Sequence, residues 1–411
     1  MSIFSRYYPK HRIALAALSL VFLFNLAPLI SEAAPSSPAT SLYRIVGYYT
    51  SWSIYAPQYD ITQIPAAQLT HLNYAFATIS DSGECALGDA YADTQYPYAD
   101  GASGNMGELL NLKANHPQLK TLISVGGYTW SGHFSDVAAS VESRQHFAAS
   151  CVDFMLAHGF DGIDIDWEFP VGTGAKGNSQ RPEDGENFIL LLQELRTQLT
   201  AHSNLNGQTY LLTIAAGNDR EQYAMLDWKR IHPLLDWINV MTYDMSGARD
   251  GTTGLNAPLY PSSTRPDKPS IDQTINDLLG LGIKADQLVL GIPFYGVGWK
   301  GVASTNQGLY QPVGALADGT LGPGYFNYSG IYPDLINQYA HYWDDNAQES
   351  WLYDSNAGIF ISYEDAKSLA AKINYLQQHQ LGGVMIWELS MDDDQHSLMN
   401  ILYAALQGEP N

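Results

Sequence analysis

Eight short apolar runs, at residues 44–49, 71–77, 121–126, 162–168, 210–216, 237–244, 288–295 and 383–389, punctuate this 411-residue chain. Amphipathic stretches separate several of them, most clearly 187–199, where Phe188, Leu191, Leu192, Leu195 and Leu199 recur at helical spacing. A strand covered on both faces reads as a continuous apolar run, as in a parallel sheet flanked by helices. Eight such strands alternating with helices predict an α/β fold, a closed (β/α)8 TIM barrel, with an open doubly wound sheet as the competing arrangement. The rhythm breaks once. Residues 296–382, between the seventh and eighth runs, are too many for one crossover helix, and 299–361 are rich in Tyr, Gly, Asn and Asp. This predicts an α+β domain over 298–361, inserted between strand 7 and strand 8 of a barrel spanning 42–405, then a helix over 364–379. Loops that follow barrel strands build the active face, so the insert is expected to wall a site.

The fourth run breaks its own pattern. Asp161-Gly162-Ile163-Asp164-Ile165-Asp166-Trp167-Glu168 alternates acids with bulky apolar residues. Successive strand side chains face opposite ways, which puts Asp164, Asp166 and Glu168 in one column and Ile163, Ile165 and Trp167 in the other. Neighbours in that column lie roughly 6.6 Å apart at Cα, so the carboxylates repel and at least one keeps its proton near neutrality. Burying three acids for structure alone is costly, and Glu168 falls at the C-terminal end of the strand, where barrel enzymes keep their chemistry. Asp161, on the opposite face, is read as structural.

Other strand ends carry motifs with plain structural readings when taken singly. Ser124-Val125-Gly126-Gly127 reads as a turn, Met241-Thr242-Tyr243-Asp244 as core packing, and Trp387 as barrel floor. Gly296-Val297-Gly298-Trp299-Lys300-Gly301 has the glycine spacing of a dinucleotide site, but 302–308 lacks the apolar periodicity of the helix such a site requires.

Composition bounds the partners. Arg6, Lys10 and Arg12 precede an uncharged apolar run at 13–30 and small residues near Ala33, which predicts a signal peptide over 1–33, a linker over 34–41 and export to the extracellular space or periplasm. An uncleaved anchor is the rival reading. Removing 1–33 takes the basic residues from 20 to 17 and the acidic from 42 to 41, a net charge of −24. Nucleic acid, which needs basic surface, is excluded as a partner. Nine Trp and 27 Tyr suit the flat, uncharged faces of sugar rings instead. Cys85 and Cys151 do not make a disulfide scaffold and read as buried thiols; the 11 histidines show no zinc-like spacing.

Together, the runs at 161–168, 124–127 and 241–244 and Trp387 resemble the chitinases of glycoside hydrolase family 18 over about residues 43–402. Asp184-Gly185-Glu186-Asn187-Phe188, Gly291-Ile292-Pro293-Phe294-Tyr295 and the place of the insert add to the resemblance. It implies a monomeric enzyme on chitin or N-acetylglucosamine oligosaccharides, with no metal or cofactor and no stable membrane association once the signal is cleaved. The family departs from the usual two-carboxylate scheme. By resemblance, Glu168 protonates the glycosidic oxygen while the substrate's own acetamido oxygen attacks the anomeric carbon. Asp166 would hold the acetamido group, Asp164 would share its proton, and Tyr243 would donate to the acetamido oxygen. Tyr48, Phe76, Gly127, Tyr128, Trp130, Met241, Asp244, Tyr295 and Trp387 are the implied substrate-binding residues.

Three departures bear on substrate handling: Tyr128 where many relatives have Trp, Val297 where Arg often follows the seventh strand, and Arg249 in a region often aromatic. They imply a weaker grip on the leaving-group side and a preference for soluble oligomers. Two other functions share parts of the pattern. A chitin-binding lectin typically lacks the last acid, which Glu168 supplies here; an endo-β-N-acetylglucosaminidase acting on glycoproteins is opposed by the insert and Trp387.

Overall fold

The computed structural model describes residues 43–247 and 250–407; the predicted signal and linker segments and Arg249 lie outside them. Every apolar run contains a strand: β1 (Arg44–Thr50), β2 (His71–Ile79), β3 (Lys120–Gly126), β4 (Gly162–Asp166), β5 (Leu211–Ala216), β6 (Trp237–Val240), β7 (Leu288–Pro293) and β8 (Gly383–Trp387). Each pairs in parallel with the next, and β8 pairs with β1, so the sheet closes and the open doubly wound arrangement is ruled out. The barrel strands are almost wholly buried, and Ile163, Ile165, Leu212, Ile238 and Leu290 have no exposed surface.

The clearest predicted helix spans Asp184–Asn206, and all five of its periodic apolar residues are buried. It stops at Gly207, whose φ of 74° suits glycine and lets its N–H reach the Ser203 carbonyl. The last crossover helix, Ala366–Gln378, begins where the Asp365 side chain accepts from the N–H groups of Lys367 and Ser368.

Between β7 and β8 the chain builds an antiparallel sheet. Tyr295–Lys300 lies between Tyr325–Asn327 and Ile359–Tyr363, with Glu349–Asp354 and Ala340–Asp344 beyond the latter, and short helices Tyr328–Ile331 and Asp334–Gln338 complete an α+β unit. Pairing already begins at Tyr295, opposite Asn327, because only Phe294 separates β7 from the sheet. The glycine pattern at 296–301 falls on this strand and opens no helix. A Cβ on Gly296 would come within 2.8 Å of Ile331, and one on Gly298 within 2.7 Å of Phe326, so packing accounts for both glycines.

One charged cluster ties the sheet to the following helix. Lys372 Nζ, 1% exposed, lies 2.8 Å from Glu349 Oε2 and also contacts Glu364, both equally buried. Burial and the neighbouring Glu364 charge push Glu349 up to about 8, while the two acids hold Lys372 above its ordinary value. Glu349 therefore retains its proton at pH 7, which relieves the crowding of two acids around one ammonium. Removing one partner of a buried ion pair costs about 3–5 kcal/mol. Lys372→Met should lose that much stability near pH 8. A carboxyl whose folded pKa exceeds its unfolded value loses stability as pH rises, so the deficit should shrink toward pH 5. Denaturant unfolding at the two pH values measures it. Cys85 and Cys151 are buried and unbridged.

Candidate active site

The acid column runs from the barrel interior to its rim. Asp164 has no exposed surface, and its register partners on β3 and β5 are Ser124 and Thr213. Four groups donate to it: Tyr48 at 2.6 Å, Ser124 at 2.8 Å, Thr213 at 2.5 Å and the Asn239 amide at 3.3 Å. Burial raises its pKa and these four bonds pull it back, leaving a net rise. Asp166 lacks that support. Its Oδ1 is buried with no hydrogen-bond partner among the described residues, and burial, then the Glu168 and Asp164 charges, hold its carboxyl well above the usual range. Strand pairing stops at Asp166, so Glu168 stands two residues beyond β4, partly buried, its N–H donating to Ser131 Oγ at 2.9 Å. Burial, then the Asp244 charge, pushes Glu168 up to about 8. Asp161, at the start of the strand, accepts from the Thr121 N–H at 2.8 Å and pairs with Lys113 at 2.7 Å.

Glycines let backbone crowd this column. Gly126 and Gly127 have φ of 109° and 78°, and a Cβ on Gly126 would lie 2.5 Å from the Asp166 carbonyl oxygen. On Gly127 it would strike the Phe76 ring at 2.7 Å. The Gly127 N–H instead donates to that Asp166 carbonyl at 2.8 Å, and the Ser131 hydroxyl donates to the carbonyls of both Gly127 and Asp166.

The opposite wall is the turn after β6. The Asn218 amide donates to the carbonyls of Met241 and Tyr243, and Thr242 Oγ1 donates to the Gly291 carbonyl at 2.8 Å. These bonds hold Tyr243 buried at the site and carry Asp244 into a left-handed conformation, φ 57°, opening toward the cleft. Tyr295 donates to Asp244 Oδ1 at 2.6 Å; poor solvation in the recess still leaves the Asp244 carboxyl raised.

Tyr48, Tyr128, Asp166, Glu168, Met241, Tyr243, Asp244, Tyr295 and Trp387 line one pocket of about 180 Å³. Tyr128, Asp244, Tyr295 and Trp387 also border a cleft of about 920 Å³, which Trp52 flanks from the barrel and Thr320, Leu321, Tyr325 and Asn327 flank from the insert. Phe76, Gly127 and Trp130 line neither. Phe76 stacks on Trp387 at 5.9 Å with Gly127 packed against it, and Trp130 stands edge-on to Trp52 at 6.4 Å. Asp164 lies behind the pocket, and Val297, 1% exposed, is buried in the insert sheet. Sequence reasoning missed Thr213 and Asn239, although each is a polar residue in an apolar strand, the same signal that marks the acids. Trp52, Asn218 and the insert residues had no comparable local signal.

Residues 44–392 match the sequence profile of glycosyl hydrolases family 18. Chitinase A1 of Niallia circulans is 40% identical over 93% of this chain, which spans 60% of that protein's length. Endochitinase 1 of Metarhizium robertsii is 33% identical, over 92% of this chain and 90% of its own. Among solved structures, chitinase ChiA74 from Bacillus thuringiensis superposes with a TM-score of 0.85 at 37% identity, covering 90% of this chain and 70% of that one. The catalytic domain of chitinase B from Arthrobacter TAD20 gives 0.83 at 31% identity, covering 90% and 96%. The matched span runs from the first residue of β1 to beyond β8 and takes in the whole acid column and the insert: the chain belongs to glycosyl hydrolase family 18.

Proposed function

We propose that this protein is an exported chitinase that hydrolyses β-1,4 bonds between N-acetylglucosamine units, with retention, Glu168 acting as general acid and then base. The observation that carries the reading is the Asp166–Glu168 pair: a rim carboxyl raised to about 8 beside a buried carboxyl with one oxygen unpartnered among the described residues. A leaving glycosidic oxygen needs a proton at neutral pH, and a carboxyl held near 8 carries one. The open Asp166 Oδ1 suits the N–H of a substrate acetamido group. Tyr243 Oη meets Met385 Sδ at 3.9 Å, a weak acceptor, so its proton is available to the acetamido oxygen.

In this scheme the acetamido oxygen bonds to the anomeric carbon as the glycosidic bond breaks, and the Glu168 proton goes to the departing oxygen. The resulting oxazolinium ion is positive, and the Asp166–Glu168 pair, now holding one proton fewer, carries the balancing negative charge beside it. Water then enters from the face the leaving group vacated, giving its proton to Glu168, and the acetamido oxygen is released. Trp387 beneath the pocket offers an aromatic face to the sugar at the cleavage point.

The pH profile follows from the protonated acid. Activity is expected to fall as pH rises through about 8, where Glu168 loses its proton. Asp244→Asn removes the charge that helps raise Glu168, so the basic limb of kcat/KM should move to lower pH, by up to about one unit. A limb that stays in place in that variant would contradict this account.

Incubation with a defined chitin hexasaccharide beside a high-mannose glycoprotein tests the function. The reading predicts shorter chitooligosaccharides, first released as the β-anomer. Binding without cleavage would indicate a lectin, and glycan release from the glycoprotein alone an endo-β-N-acetylglucosaminidase.

A further inference from the structure

Building on the chemistry proposed above, we infer that Asn239 is a positioning residue: clamped by Trp237, its amide can only donate toward Asp164, which biases Asp164 toward being the ionised member of the acid column. The bonds to Asp164 come from four other strands, but they are not equivalent. Tyr48, Ser124 and Thr213 offer hydroxyls, and a hydroxyl turns about its C–O bond to accept from a protonated carboxyl as readily as it donates to an ionised one.

Asn239 cannot reverse. Trp237 Nε1 lies 2.9 Å from Asn239 Oδ1, and an indole N–H only donates, so the amide oxygen must face Trp237. The NH2 group is thereby committed to Asp164 Oδ1 and the Tyr48 oxygen, each at 3.3 Å. A phenol oxygen that already accepts from Asn239 turns its own proton to Asp164 Oδ2, 2.6 Å away. One amide thus sets the polarity of two of the four bonds. The clamp has no slack: Asn239 is fully buried and Trp237 is 1% exposed, with the Arg44 guanidinium 5.2 Å over its ring and the His71 ring 4.5 Å away.

Among the described residues, the groups around Asp164 that titrate or carry charge are Tyr48 on β1, Asp166 and Glu168 along and beyond β4, and Tyr243 after β6; Arg44 and His71 lie beyond Trp237. The inward positions on β2, β3, β5, β7 and β8, held by Asn73, Ser124, Thr213, Gly291 and Met385, are uncharged. With the negative charge favoured at the deep end, the exchangeable proton stays with Asp166 and Glu168, beside the substrate.

The test pairs Asn239→Leu, which keeps the shape and deletes the donor, with Trp237→Phe, which keeps the amide but frees it to turn. Losing one hydrogen bond to a charged group should raise the proton affinity of Asp164 about ten- to a hundredfold. The acid limb of the kcat profile on chitin hexasaccharide should therefore move up by about one to two pH units in Asn239→Leu, with KM changed less than about twofold. Trp237→Phe should shift it the same way by less. The isosteric Asn239→Asp, expected to shift it at least as far, decides the matter if Asn239→Leu does not fold. Carbon-13 NMR titration of the Asp164 carboxyl gives the same comparison without turnover. A folded Asn239→Leu or Asn239→Asp whose Asp164 titration and acid limb coincide with wild type overturns the proposal. Wild-type protein that cleaves no chitooligosaccharide at any pH sinks the proposed function instead, while the titration still decides the role of Asn239.

Discussion

Glu168→Gln is expected to lower kcat on chitin oligosaccharides by at least about a thousandfold while leaving oligosaccharide binding within a few-fold of wild type. Gln matches Glu in size and hydrogen-bonding reach, and the groups that shape the pocket, Tyr48, Tyr243, Tyr295 and Trp387, are unchanged. It has no transferable proton. General acid catalysis typically contributes 10²–10⁴-fold, and Glu168 is asked to serve twice, giving a proton to the leaving oxygen and taking one from water. The loss should depend on the leaving group. An aryl glycoside that departs without protonation needs no acid in the first step, so the variant should recover part of that step. The fold should not suffer, since the replaced carboxyl is one whose ionised form the site disfavours. Initial rates together with calorimetric binding of the hexasaccharide separate the two quantities, and wild-type turnover in this variant would overturn the assignment of the acid.

Asp166→Asn should cost about a hundredfold or more in kcat, for a different reason and with a different signature. Asp166 is asked to accept from the acetamido N–H and to face the positive charge of the oxazolinium ion, which develops only in the transition state. The amide of Asn supplies an oxygen at best and no charge. Because the damage falls on acetamido attack rather than on protonation, a better leaving group should rescue Asp166→Asn much less than Glu168→Gln. Equal rescue of both variants by an aryl glycoside would show that the two acids are not divided in this way.

Much of this arrangement is legible in the sequence, and the reasons lie in particular residues. The barrel strands show because helices outside and packed side chains inside leave them no wet face, so each of β1 to β8 overlaps an apolar run. The acid column shows because period-two parity puts Asp164 and Asp166 on the side opposite Ile163 and Ile165. Strand ends are less legible. Pairing stops at Asp166, Val240 and Pro293, yet the apolar runs continue to 168, 244 and 295. Trp167, Tyr243 and Phe294 are buried there outside any strand, and Tyr295 is buried in the insert sheet rather than the barrel; hydrophobicity does not distinguish these from barrel-strand burial. The start of the insert at Tyr295 is hidden for the same reason, since the chain passes from β7 into the antiparallel sheet across a single residue. The Asn218 clamp on Met241 and Tyr243, and the approach of Thr320 and Leu321 to the cleft, join segments far apart in sequence, so no local pattern announces them.

The central claim is that the nucleophile belongs to the substrate and that Asp166 and Glu168 serve it. The most direct test compares turnover of two chitin oligosaccharides that differ only at the sugar on the non-reducing side of the cleaved bond, N-acetylated in one and carrying a free amine in the other. The account predicts rapid cleavage of the acetylated substrate and a rate lower by at least about a thousandfold for its partner, as expected when an oriented intramolecular nucleophile is removed. Comparable cleavage of both at that bond would contradict it.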